Sequence, residues 1–144
     1  MSKEKLPRRN DYGVLYPITT RWSDNDIYGH VNNVTYYSYF DSAANRYLIE
    51  EGGLDISDGA IVGFVVSSGC EYHAPITYPE PVEAGVRVDK LGNSSVQYGI
   101  AIFKEGREEA VAHGHFVHVF VQRAENRAVP IPANLRAALE RILA

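Results

Sequence analysis

The 144-residue chain has little cysteine and no excess of positive charge. Its single cysteine, Cys70, excludes an internal disulfide framework and fits a reducing compartment. Lys and Arg together number 14, against 18 Asp and Glu, which gives a net charge of -4. A nucleic-acid partner is therefore not expected, since binding many phosphates requires a concentrated basic face. A small anionic ligand remains compatible, because it needs only a local group of Lys or Arg.

Long apolar runs are also missing from the chain. No stretch has the length of a membrane span, and the charged start MSKEKLPRRND is not followed by the apolar core of a signal peptide. We therefore expect a soluble, cytoplasmic protein without a membrane partner. With 45% hydrophobic residues, a chain of this length suits one domain. We predict a flexible N-terminal arm over residues 1–12 and a single domain over residues 13–144.

Polar side chains are instead concentrated in the ten residues from Asp24 to Asn33. This segment contains two carboxylates, a histidine and three asparagines, and the candidate polar residues among them are Asp24, Asp26, His30, Asn32 and Asn33. It follows a strand-like stretch and precedes a helical one, so we place it at a strand-to-helix junction. The carboxylates either carry chemistry there or only shape a turn, as Asx residues often do.

The helical stretch is predicted to cover residues 33–51. Asn32 or Asn33 can cap its start, and Gly52 with Gly53 supplies a left-handed stop. Unpaired N–H groups and the positive end of the helix dipole gather in a first turn, where they attract developing negative charge. The start of this helix is therefore a candidate oxyanion site.

The rest of the pattern predicts five strands and a short terminal helix. The predicted strands cover residues 14–21, 61–72, 82–89, 96–102 and 108–122, and the helix covers residues 133–143. The last three strands should form an antiparallel meander. A helix of about twenty residues and strands of nine or ten residues have similar lengths, roughly 30 Å. The predicted α+β fold is thus a twisted five-stranded antiparallel sheet wrapped around one long helix, with a second copy of the chain covering the outer face.

The segment DIYGHVNNVTY, residues 26–36, carries a resemblance to a known family. It matches the pattern D-x-x-G-x-V-x-x-x-x-Y of the hotdog-fold acyl-CoA thioesterases related to 4-hydroxybenzoyl-CoA thioesterase. The aromatic helix, EYHAPITYPEPVEAG, GNSSVQYGI and the PIP tail follow in the family's order. The resemblance implies a hotdog fold, hydrolysis of an acyl-CoA and assembly as a homodimer or a dimer of dimers.

The resemblance also implies roles for individual residues. Asp26 corresponds to the family's catalytic carboxylate, and the backbone N–H of Asn33 corresponds to the donor that polarises the thioester carbonyl. Four further motif residues are expected to contact the substrate: Tyr28, His30, Asn32 and Tyr36. Asp24 has no role in the family pattern, so we interpret it as shaping the loop. Asp41 on the helix is the alternative acid, since another hotdog branch uses an acid there.

Two mechanisms and three other activities stay open at this point. Asp26 can attack the thioester to form a mixed anhydride, which is slightly favoured, or act as a general base on water. An acyl carrier protein thioesterase, a hydratase or dehydratase, and a non-catalytic acyl-binding protein are the alternatives.

Thioester hydrolysis needs only a carboxylate, water and an oxyanion site, so we expect no cofactor. His113 and His115 lie on the same face of the fifth predicted strand, but no Cys or acid completes a convincing set of metal ligands. We therefore predict no metal.

Overall fold

The computed structural model describes residues 5–57 and 59–144. The strands are β1 (Val14–Ile18), β2 (Ile61–Tyr72), β3 (Val82–Leu91), β4 (Ser95–Lys104), β5 (Ala112–Gln122) and β6 (Arg127–Ala128), and the helices are α1 (Thr35–Gly52), between β1 and β2, and α2 (Ala133–Glu140). The predicted order of one strand, a long helix, four strands and a short helix is confirmed. The two-residue β6 was not predicted. It pairs with β5 through a tight turn in which Asn126 adopts a φ of 51°.

The strands form one antiparallel sheet in the order β1-β3-β4-β5-β2, with β6 beside β5. The predicted meander of β3, β4 and β5 is confirmed by continuous pairing, in which Ile100 of β4 lies opposite Val86 of β3 and Gly114 of β5. β2 pairs only with β5 among the described strands, so it lies at an edge of the sheet.

The core lies between the inner face of the sheet and α1. Alternate residues of β3 are almost completely buried, as the period of two in its sequence predicts: Val82, Ala84, Val86 and Val88. Phe40, Ala44 and Leu48 of α1 are fully buried in the same cluster. The sheet curls around the long helix, and the predicted hotdog architecture is confirmed.

Both ends of α1 are close to their predicted positions. Its regular turns begin at Thr35, two residues late, because Asn32 to Thr35 form a tighter turn in which the Thr35 N–H donates to the Asn32 carbonyl. Val34 occupies the N-cap position without a side-chain cap bond, and the Asn32 side chain accepts the Val34 N–H within the preceding turn. At the other end, Gly53 has a φ of 70° and closes the helix with a bond to the Leu48 carbonyl.

Three predicted boundaries differ from the structure by three or four residues. β1 ends at Ile18 because Ile18 pairs with Val82, the first residue of β3, and a short 3-10 turn follows at Trp22–Asp24. β5 begins at Ala112 because the residues before it pair with the N-terminal segment, where the Ala110 N–H donates to the Pro7 carbonyl. α2 ends at Glu140, and the chain after it pairs with β3 through the Val88 N–H and the Ile142 carbonyl.

The N-terminal segment lies partly against the outer face of the sheet. Residues 1–4 of the predicted arm lie outside the described residues. Arg9 forms an ion pair with Glu83 and lies over the Phe103 ring, and Tyr12 packs edge-on against the same ring. The division of the chain at residue 12 stays a prediction. In the part of the chain that the structure describes, no helix combines the length and the apolar character needed to cross a membrane.

Candidate active site

A closed loop presents Asp26 between β1 and α1. Asn25 and Val31 form a β-bridge that joins the two ends of this loop. Inside the bridge, the Asp26 N–H donates to the His30 carbonyl at 2.9 Å, and the Gly29 N–H donates to the Asp26 carbonyl at 3.0 Å. Gly29 has a φ of 82°, a conformation that favours glycine. The loop backbone is therefore fixed by its own hydrogen bonds.

The Asp26 carboxylate both shapes this turn and borders a cavity. Its Oδ1 accepts the Tyr28 N–H at 2.8 Å, which is the Asx-turn arrangement. Asp26 also lines an open cavity of about 690 Å³ together with Trp22, Ile27 and Tyr78. Trp22 is 76% exposed, and its ring contacts the Tyr78 ring edge-on. The carboxylate thus lies beside an apolar, aromatic surface.

Asp24 has a different environment from Asp26. Its side chain is only 2% exposed and accepts hydrogen bonds from the Tyr39 hydroxyl at 2.7 Å and from the Arg21 N–H at 2.9 Å. Burial alone would raise the pKa of this carboxyl, but the bonds from Tyr39 and Arg21 outweigh it and hold the pKa below its ordinary value. The Asp24 carbonyl also accepts the Asn32 N–H. The predicted loop-shaping role of Asp24 is confirmed.

The start of α1 borders a second cavity, a groove of about 320 Å³. Asn33 lines this groove together with His30 and Tyr36, which are its neighbours in the chain. The groove is also lined by Tyr72, the last residue of β2, and by His73 directly after it. The Tyr72 hydroxyl donates to the Asn33 carbonyl at 2.9 Å. The Asn33 N–H makes no hydrogen bond within residues 5–57 and 59–144. An unpaired backbone donor at the positive end of a helix can therefore meet a ligand in this groove.

Two histidines and a glutamate form a chain of polar contacts that begins at His73, which lines this groove. His73 Nε2 lies 2.7 Å from His113 Nδ1, and the two ring planes are 18° apart, which fits an in-plane hydrogen bond. His113 Nε2 lies 3.3 Å from Glu71 Oε2. Within the described residues, no three His, Cys, Asp or Glu side chains are grouped in a way that could hold a metal ion. The absence of a metal stays a prediction.

A sequence profile described as the thioesterase-like superfamily matches residues 20–139. This match covers most of the chain. The chain belongs to the thioesterase-like superfamily. The prediction of a thioesterase is thereby confirmed at the level of the family.

Solved structures agree with this assignment of a thioesterase-like protein. The PA5185 protein from Pseudomonas aeruginosa is 58% identical, with a TM-score of 0.96 over 97% of this chain and 98% of that one. PA2801, a putative thioesterase from the same species, is 31% identical, with a TM-score of 0.81 over 94% of this chain and 99% of its own. BH1999, a gentisyl-coenzyme A thioesterase, is 26% identical, with a TM-score of 0.78 over 88% and 99%.

One curated relative is similar over a shorter segment. The uncharacterized protein YsmA of Bacillus subtilis is 24% identical over 88 residues. The match covers 61% of this thioesterase-like chain and 59% of that protein.

The structure brings some of the predicted site residues of this thioesterase-like chain together and separates others. His30, Asn33 and Tyr36 line the groove, whereas Asp26 lines the neighbouring cavity. Two predicted substrate contacts line neither cavity: Tyr28 is 80% exposed, and the Asn32 side chain accepts the Val34 N–H at the start of the helix.

The alternative acid, Asp41, also lies outside both cavities of the thioesterase-like domain. It is exposed on α1, and its carboxylate accepts a bond from Asn45.

Sequence reasoning missed Tyr72 and His73 as groove residues. They lie at and directly after the end of β2, about forty residues after the motif, and the fold brings them to the start of α1. The polar and aromatic run EYH at the end of an apolar strand was the signal that could have identified them.

Proposed function

We propose that the protein hydrolyses acyl-CoA thioesters, with Asp26 as the nucleophile or general base and the Asn33 N–H as the oxyanion donor. The observation that carries the proposal is the unpaired Asn33 N–H at the start of α1, beside a groove, in a chain of the thioesterase-like superfamily. The gentisyl-coenzyme A thioesterase among its structural neighbours supports coenzyme A as the carrier.

The Asn33 N–H has the properties of an oxyanion donor. When a nucleophile adds to a thioester carbonyl, negative charge develops on the carbonyl oxygen. A fixed N–H at a helix N-terminus stabilises that charge without reorganising, and one such donor typically contributes a factor of about 10² to 10³ in turnover. The thioester carbonyl is therefore placed in the groove, against Asn33.

Asp26 supplies the other half of the reaction. With Oδ1 held by the Tyr28 N–H, Oδ2 is the oxygen available for chemistry. In the nucleophilic route, Oδ2 adds to the thioester carbon, the carbon–sulfur bond breaks and coenzyme A leaves as the thiolate. Water then hydrolyses the mixed anhydride to the free acid and restores Asp26. In the general-base route, Asp26 takes a proton from the attacking water.

We propose that a homodimer, alone or paired into a dimer of dimers, completes the site. Three consecutive apolar residues of the edge strand β2 are 45% to 59% exposed: Phe64, Val65 and Val66. An uncovered apolar edge invites pairing with another strand, and a second copy can supply it symmetrically. Asp26 and Asn33 line separate cavities in one subunit. A second copy that covers the loop would join these cavities into one enclosed site.

Three of the remaining motif residues are assigned to substrate contacts, and the fourth, Asn32, to positioning the backbone. His30 and Tyr36 line the groove with Asn33, and Tyr28 projects from the Asp26 turn. Asn32 acts through the backbone, because its side chain fixes the Val34 N–H beside the proposed donor.

The proposal is tested by measuring thiol release from a panel of aromatic, branched, short-chain and long-chain acyl-CoAs and from the matching acyl carrier proteins. We expect hydrolysis of at least one acyl-CoA, faster than of its carrier-protein counterpart. EDTA should leave the rate unchanged, because no step uses a metal. Preference for the carrier protein would assign the alternative carrier, and hydration of an enoyl-CoA would assign a hydratase. Binding without turnover across the panel would identify an acyl-binding protein.

A further inference from the structure

The peptide unit between Asn33 and Val34 is held at both ends. Its carbonyl oxygen accepts the Tyr72 hydroxyl at 2.9 Å, and its N–H donates to the Asn32 side chain at 2.9 Å. One of these partners is in the loop itself, whereas the other comes from the end of β2. The Tyr72 side chain therefore ties the turn that starts α1 to the sheet.

Tyr72 is itself fixed by its surroundings. Its backbone pairs with Ala112 of β5, and its ring contacts the Tyr36 ring edge-on, with centroids 5.0 Å apart and planes at 88°. Tyr36 is buried in the first turn of α1. The phenol thus lies between the strand end and the helix start, where the ring contact orients it although Tyr72 is 43% exposed.

The hydroxyl stays a donor at neutral pH. Burial, followed by the neighbouring Cys70 and Tyr37, raises the pKa of Tyr72 above its ordinary value. Both polar groups of the peptide unit between Asn33 and Val34 are therefore hydrogen-bonded. The N–H of Asn33, which belongs to the preceding peptide unit, makes no hydrogen bond among the described residues and borders the groove.

We propose that Tyr72 is a positioning residue that fixes the backbone at Asn33 so that its N–H meets the thioester oxygen. This inference rests on the proposed function, since it concerns the donor of that same site. Tyr72 acts through Asn33 and not on the substrate. Loss of the Tyr72 hydroxyl reduces the stabilisation of the transition state, in which the thioester oxygen carries charge, more than it reduces the binding of the ground-state substrate.

The test compares Tyr72→Phe with the wild type and with a matched control, Tyr12→Phe. Tyr72→Phe removes one hydroxyl and leaves the ring contact with Tyr36. Tyr12→Phe removes a hydroxyl on the outer face of the sheet, where the ring packs on Phe103. We expect Tyr72→Phe to lower kcat about tenfold with KM within about twofold, and Tyr12→Phe to change neither. Tyr72→Phe should also shift the Asn33 and Val34 amide signals in a ¹H–¹⁵N spectrum and speed Val34 amide exchange.

The outcomes separate this inference from the proposed function. If the wild type hydrolyses an acyl-CoA and Asp26→Ala does not, normal kcat in Tyr72→Phe overturns the positioning role alone, even where the amide signals move. A rise in KM without a fall in kcat would make Tyr72 a substrate contact and also overturn it. A wild type without turnover on any acyl thioester would overturn both proposals.

Discussion

Asp24 and Asp26 show how environment separates two residues of the same type. Both come from one short loop. Asp24 is buried and accepts hydrogen bonds from Tyr39 and Arg21, whereas Asp26 accepts one backbone N–H and lines an open cavity. A buried, saturated carboxylate stabilises structure, and a partly exposed one remains available for chemistry. Different effects are therefore expected when each charge is removed.

Asp24→Asn should destabilise the protein by roughly 2 kcal/mol, because hydrogen bonds to a buried charged acceptor are worth about 1.5–3 kcal/mol. The amide presents one acceptor oxygen where the carboxylate had two. Urea denaturation measures the effect, and Asp41→Asn is the control, since Asp41 is an exposed carboxylate bonded to Asn45. An Asp24→Asn protein as stable as this control would contradict the structural role.

His118 should make the fold sensitive to acid. It is 1% exposed beside the Tyr98 hydroxyl, and burial lowers its pKa to about 4. An unfolded histidine has a pKa near 6.5, so between about pH 6.5 and 4 the unfolded state binds a proton that the folded state does not. Stability should fall as the pH drops through this window, by up to roughly 3 kcal/mol at its lower end.

The measurement is urea denaturation of wild type, His118→Gln and His115→Gln at pH 7.5 and pH 5. His115 is the control because it lies on the same strand but is only half-buried. His118→Gln should lose part of the pH dependence, whereas His115→Gln should keep it. Equal pH dependence in all three proteins would show that His118 does not carry the effect.

At the scale of elements, the edge strand β2 has two roles. Its end supplies Tyr72 and His73 to the groove, and its middle exposes apolar side chains. A β-bulge between Val65 and Ser67 leaves Val66 without a partner residue in β5. The same element therefore links the candidate site to the proposed subunit interface.

Val66→Lys should disrupt that interface, because it places a charge on a surface proposed to be buried between two copies. Light scattering at micromolar concentration should show a dimer or larger assembly for the wild type and a monomer for the variant. Activity should fall with the loss of assembly. Ile56→Lys is the control, since Ile56 is 60% exposed in the loop after α1. A wild type that is monomeric with full activity would contradict the proposed dimer.

Sequence patterns predicted local features of these elements better than contacts between them. The stop of α1 at Gly53 and the alternating burial of Val82 to Val88 depend on neighbours in sequence, so a local pattern determines them. The bond from Tyr72 to Asn33 joins residues 39 apart, and the pair between Arg9 and Glu83 joins residues 74 apart. The sequence shows that residue 9 is a charged arginine, but it does not predict that the Arg9 side chain packs on the distant Phe103 ring.

At the scale of the whole molecule, fold and family are consistent with each other, and the chemistry depends on how the loops meet. The sheet curled around α1 brings the end of β2 to the start of the helix, which is where the unpaired Asn33 N–H lies. The loop that carries Asp26 lies just before Asn33 in sequence, but Asp26 lines a different cavity. The central claim is therefore that Asp26 and Asn33 act on one thioester in the assembled protein.

Turnover of Asp26→Asn and Asp26→Ala on the best acyl-CoA tests this claim most directly. The Asn variant keeps the size of the side chain and removes its charge, so nucleophile and general base are both lost while the cavity is kept. We predict a fall in kcat of at least about a hundredfold with KM little changed, and a much smaller loss for folded Asp24→Asn. The Ala variant excludes slow deamidation back to Asp as a source of residual rate. Near-normal turnover by folded, dimeric Asp26→Ala would contradict the account and make Asp41 the next residue to test.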